Sequence, residues 1–83
     1  MTRPDLPRTL AEAHEAVARI RPRQKAPLPE WLAFHQRSTV MYAEVAEIDR
    51  GHHHEALAIA ERERQRATEI KAEIHAQRPA PEE

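Results

Sequence analysis

The stretch Tyr42-Ala43-Glu44-Val45-Ala46-Glu47-Ile48-Asp49-Arg50-Gly51-His52-His53-His54-Glu55-Ala56-Leu57 decides the fold. It joins a strongly helical pattern to the only glycine of the chain and then to three consecutive histidines. Gly51 marks either a turn between two helices or a weak point within one. Stepping from Val45 at about 3.6 residues per turn lands close to Ala56, Ile59, Glu63, Ala67, Ile70 and Ile74, a phase that suits one continuous helix. Against this, glycine commonly terminates helices. A chain this small also gains core by folding back, so that the thin alanine stripe after Gly51 covers the stripe before it. The expected architecture is therefore all-α: a short N-terminal helix plus a helical hairpin turning near Gly51, with one long continuous helix as the alternative. Helices are expected near 9–21, 30–50 and 52–77. If Gly51 closes its helix in the left-handed conformation, alanine there costs about 1 kcal/mol or more.

Outward from this stretch, Trp31, Phe34, Ser38, Met41, Val45 and Ile48 recur at alternating spacings of three and four. Leu32, His35, Thr39, Tyr42 and Ala46 flank them and widen the stripe. Pro29 suits a first helical turn, and Glu30 places negative charge where the helix dipole favours it. Before it, residues 22–29 read as an extended proline-rich linker. Thr9-Leu10-Ala11-Glu12 matches a capping box. Leu10, Ala13, Val17 and Ile20 then share one face, until Pro22 forces the residue before it out of the helical region. Residues 1–8 are expected to be a flexible N-terminus, 9–77 a single helical domain and 78–83 a disordered tail. The outer face of the last helix carries the i,i+3 pairs Glu61/Arg64, Glu63/Arg66 and Arg66/Glu69, each contributing a few tenths of a kcal/mol at about the most.

The chain has 83 residues, and much of its 40% apolar content is alanine. Burying a large apolar side chain contributes roughly 1.5–3 kcal/mol, against roughly 1.5 kcal/mol of ordering cost per residue. Zero cysteines exclude disulfides as a staple. Oligomerisation or a partner remains, so a homodimer or a helical protein partner is expected. The contact would run through the Trp31/Phe34/Met41/Val45 face or the Ala56/Ala60/Ala67 stripe. Formal net charge is -1, yet residues 1–25 hold six basic and three acidic side chains against seven and eleven in the rest. Arg19, Arg21, Arg23 and Lys25 form a basic cluster. It reads first as a solvated helix end, and second as a patch for phosphate or an acidic partner.

His52, His53 and His54 raise the question of a metal. Consecutive helical residues point about 100° apart and cannot converge on one ion. No His-x-x-x-His pair occurs, and no metal site is expected. No catalytic role or cofactor is expected either: there is no cysteine, no glycine-rich phosphate loop, and one serine, Ser38, inside an amphipathic helix. No stretch approaches the roughly 20 apolar residues of a membrane span. The first residues do not resemble a signal peptide, and a cytoplasmic location is expected. The glycine and the Ala-Leu pair after it echo the turn of a tetratricopeptide repeat, but no second copy occurs. The three histidines titrate near neutral pH. Their protonation at the start of a helix opposes its dipole, so acid is expected to loosen the turn unless Asp49 and Glu55 compensate.

Leu10-Ala11-Glu12-Ala13-His14-Glu15-Ala16, Glu30-Trp31-Leu32-Ala33-Phe34, and above all Tyr42 to Leu57 followed by Ala60-Glu61-Arg62-Glu63-Arg64, resemble a family of small uncharacterised helical proteins of actinobacteria. The resemblance spans roughly residues 9–75 of the 83. It implies a helical cytoplasmic protein and supplies no established activity. From the residues themselves, the expected function is a non-enzymatic helical interaction or regulatory module. Its interaction candidates are Trp31, Phe34, Met41, Val45, His52, His53 and His54. The alternative is a nucleic-acid-binding accessory protein using the basic cluster at 19–25; the near-neutral charge and the lack of a recognition helix argue against nucleic acid as the partner.

Overall fold

The computed structural model describes residues 6–77. The tail expected at 78–83 and most of the flexible segment expected at 1–8 lie outside them. The described residues form three α-helices and no strand: α1 (Leu10–Ile20), α2 (Leu28–Ile48) and α3 (His53–Gln77), with a 3₁₀ turn at Arg50–His52 between the last two. The molecule measures 53 × 26 × 22 Å. With helices about 10 Å across, its thickness allows only two layers.

Local chemistry accounts for the helix ends. Thr9 caps α1, its hydroxyl accepting from the Glu12 backbone N–H at 3.1 Å. Glu12 reaches back to the N–H of Arg8 at 2.8 Å, one residue earlier than a standard capping box. At the other end Arg21 is extended, with φ -64° and ψ 128°, as a residue before proline must be. A turn follows, closed by the Ala26 N–H to the Arg23 carbonyl at 2.9 Å. α2 then begins two residues before its expected start, with Pro29 inside its first turn.

α2 and α3 run antiparallel as a hairpin, and α1 packs on α2. Continuous phase across Gly51 is thus not continuous helix. The break is made by Asp49, whose φ of -92° and ψ of 76° leave the helical region. Gly51 has no positive φ. It is no left-handed cap, and a Cβ built on it would meet only the Asp49 carboxylate, at 4.0 Å. Gly51→Ala is therefore expected to stabilise the protein by about 0.4–1 kcal/mol, through a less disordered unfolded chain. A lowered thermal midpoint for this variant would contradict that geometry.

On α2 the buried residues are Phe34, Ser38, Tyr42, Val45 and Ala46, not the expected line ending in Ile48, which is 54% exposed. The buried arc is wider and turned, because α2 is covered by two helices. Val45 and Tyr42 share one cluster with Leu10 and Ala13 of α1 and with Ala56 and Ala60 of α3. Ala56, Ala60 and Ala67 are small enough to bring α3 close. Ser38 is wholly buried, and its hydroxyl donates to the Phe34 carbonyl at 2.9 Å. No buried side-chain polar atom among the described residues lacks a partner.

This packing corrects both expected dimer contacts. Phe34 and Val45 lie in the chain's own core, Trp31 and Met41 are half-buried, and the Ala56/Ala60/Ala67 stripe is covered by α2. Phe34, Val45 and the three alanines are taken up within the chain, while Trp31 and Met41 remain partly exposed. Among the described residues no helix is long and apolar enough to cross a membrane.

Candidate functional site

Three groups of polar and aromatic side chains connect the helices. The first is the turn. Asp49 Oδ2 accepts the backbone N–H of Leu10, in the first turn of α1, at 2.9 Å. The same oxygen accepts from His52 Nδ1 at 2.9 Å. One carboxylate thus satisfies an orphan donor of α1 while it closes the hairpin. His53 Nδ1 lies 2.8 Å from the carbonyl of Ala46, one of the last carbonyls of α2. Arg50 Nη1 lies 3.0 Å from the same nitrogen. A carbonyl can only accept, so the ring proton is on Nδ1, and Arg50 is left to its exposed pairing with Glu47 at 3.5 Å. His54 stacks edge-on to His53, centroids 5.2 Å apart, and is exposed.

The Leu10 N–H holds the Asp49 carboxyl below its usual value; burial opposes it in part, and the hydrogen bond and charge of His52 add smaller contributions in the lowering direction. A depressed native value means that the carboxylate stabilises the fold at neutral pH. That contribution is whole above the unfolded value of about 4 and is lost as pH falls through the native value beneath it. His52 and His53 each donate a ring N–H to an oxygen, of Asp49 and of Ala46. The expected outcome is an acid-limb loss of stability below about pH 4, reduced in Asp49→Asn. Circular dichroism melts across that range check it. An acid limb unchanged in Asp49→Asn would contradict the assignment of that loss to Asp49.

The second group crosses the hairpin. His35 Nδ1 donates to Glu63 Oε1 at 2.7 Å, with the side chains only 12% and 24% exposed. The His35 ring stacks on Trp31 at 6.0 Å and meets the edge of Phe34 at 4.9 Å. Glu63, expected to pair with Arg66 on the outer face, instead turns inward, and Arg66 pairs with Glu69 at 3.1 Å. His14 and Tyr42, 2.7 Å apart, make the corresponding link between α1 and α2. Burial, with the Glu63 carboxylate adding to it, raises the Tyr42 phenol and keeps it neutral.

The third group is Arg21 over Trp31. Its guanidinium carbon sits 5.1 Å from the Trp31 ring centroid and 5.8 Å from that of Phe34. The basic cluster is thereby divided. Arg19 faces Glu15 at 3.7 Å, Arg21 is held on the aromatic pair, and Arg23 and Lys25 stand exposed in the linker.

Two open grooves flank α2. One, of about 630 Å³, runs between α1 and α2 and is lined by Leu6, Ala16, Ile20, Ala33, Val40 and Met41, with Arg19, Arg37 and Glu44 at its rim. The other, of about 770 Å³, lies where the linker crosses the hairpin, with Trp31, His35 and Arg21 in its walls. No group of three metal-ligating side chains forms among the described residues.

Of the residues singled out in the sequence, the structure gathers the histidines at the turn and joins Trp31 to Phe34. It leaves Met41 alone on the α1–α2 groove and Val45 in the core. Sequence reasoning missed Asp49 as a tie to α1, the His35–Glu63 pair and the exposed Val40. One signal was available for the pair: Glu63 interrupts the apolar stripe of α3, where a charge needs an inward partner. No family model, no curated protein and no solved structure matches the chain.

Proposed function

We propose that the chain is a non-enzymatic interaction module that receives a helix of another protein chain, most simply a second copy of itself, in the groove between α1 and α2. The observation that carries this reading is the continuity of that groove. Leu6, Ile20, Val40 and Met41 line it together, and Val40 is 54% exposed. Single exposed apolar residues are ordinary on any surface, whereas a contiguous apolar strip with a polar rim is the pattern of a contact site. Its α2 residues, Ala33, Gln36, Arg37, Val40, Met41 and Glu44, follow helical spacing and give an incoming helix a ridge of mixed apolar and polar side chains to pack against.

Val40→Glu tests it. The substitution is on the surface and should change stability by no more than about 0.5 kcal/mol, while removing association in sedimentation equilibrium and retention of a helical partner. If the wild-type chain stays monomeric at high micromolar concentration, and retains no protein that the variant loses, the reading fails.

A further inference from the structure

The groove at the crossing of the linker and the hairpin is a different surface, and its chemistry names a ligand class. We propose that it binds an acidic, extended segment of a protein partner, with Arg21 taking a carboxylate and Trp31 taking the neighbouring apolar side chain. Pro22 forces Arg21 into extended backbone, and its guanidinium carbon sits over the Trp31 ring, 5.1 Å from the centroid. A cation held by an aromatic ring keeps its N–H donors for other partners, and a guanidinium fork suits bidentate carboxylate recognition. Among the described residues no acceptor lies within hydrogen-bond distance of that fork, and Arg21 is the only arginine placed over an aromatic ring.

The rest of the groove fits the same ligand. Gln24 adds donors, Arg66, paired with Glu69 at 3.1 Å, lines the far wall, and Leu28 and Ile70 add apolar wall. No carboxylate lines it; Glu63, the nearest acid to His35, is engaged by that ring at 2.7 Å. Arg23 and Lys25, in the adjoining turn, extend the positive field. The groove is open along its length, which suits a chain passing through rather than a small molecule enclosed. A nucleic acid is disfavoured by the formal net charge of -1.

Trp31 is the only tryptophan, so its fluorescence reports on this groove directly. The probes are an end-blocked octapeptide alternating Glu and Leu, the same peptide with Gln for Glu, sodium acetate, and a single-stranded DNA oligonucleotide, each titrated with parallel amide shifts by NMR. The acidic peptide is expected to change Trp31 emission and to shift amides across residues 21–31, with added salt weakening binding. Arg21→Gln, on an exposed side chain, should weaken it about tenfold or more without altering the amide spectrum of α3. The proposal is overturned by no response up to millimolar peptide, by equal binding of the Gln peptide, or by undiminished binding to Arg21→Gln. Acetate saturating the same amides would make this a small-anion site, and tighter binding of the oligonucleotide would make it a nucleic-acid surface; either overturns it too.

Discussion

Phe34→Ala is expected to cost about 3–5 kcal/mol, the largest loss of any single truncation in this chain. For 83 residues the whole stability is roughly 4–12 kcal/mol at the usual 0.05–0.15 kcal/mol per residue, so the variant would be partly unfolded at 25 °C. The reason is local density. Phe34 is 4% exposed and meets Trp31 edge to face at 5.6 Å and His35 at 4.9 Å. Each such aromatic pair contributes about 0.5–1.5 kcal/mol beyond its buried area. Helices on a two-layer scaffold cannot close the resulting void without losing their register. Urea unfolding checks the value, with Val40→Ala as a control expected within about 0.5 kcal/mol of wild type. A Phe34→Ala loss below about 1 kcal/mol would mean that this face of α2 is in water, as in a single long helix.

Glu63→Ala is expected to cost about 1–3 kcal/mol by leaving the His35 N–H without an acceptor beneath Trp31. Partial exposure of Glu63 lets water relieve some of this, which favours the lower half of the range. Glu63→Gln retains an acceptor oxygen and should lose less. The paired change His35→Leu/Glu63→Leu should be milder than Glu63→Ala, since replacing both partners of a part-buried polar pair by apolar groups is often near neutral. Equilibrium unfolding of the variants decides it. A Glu63→Ala variant as stable as wild type would place Glu63 back on the solvent face beside Arg66.

Both predictions rest on features that the sequence discloses unequally. The start of α1 is legible because Thr9 and Glu12 act on their own neighbourhood, and its end because Pro22 does. The hairpin was harder to read. Helical phase is a property of one element, and it carries on across a break whenever the flanking stripes happen to align, as Val45 and Ala56 do. What breaks the helix is Asp49, whose carboxylate is drawn to a backbone N–H 39 residues away; no local pattern announces such a partner. The same holds for the groove residues. Val40 and Met41 are adjacent letters of similar character, and only the seat of α1 leaves one half-covered and the other in water. Arg21 read as part of a charge cluster until the extended backbone set by Pro22 placed it on Trp31.

The bond between Asp49 and Leu10 also orders the assembly of the molecule. α2 and α3 are neighbours in the chain and can zip from their own turn, with little loop entropy lost before contacts form. α1 gains its last backbone partner only once that turn exists, since the Asp49 carboxylate is positioned by the hairpin. α1 is therefore the last element to dock and the first to leave, a separate cooperative unit of lower stability than the hairpin that carries it. Its departure would bare Tyr42, Val45 and Ala46 while α2 and α3 stayed paired. Amide exchange across Leu10–Ile20 is therefore expected to be faster than in the paired cores of α2 and α3.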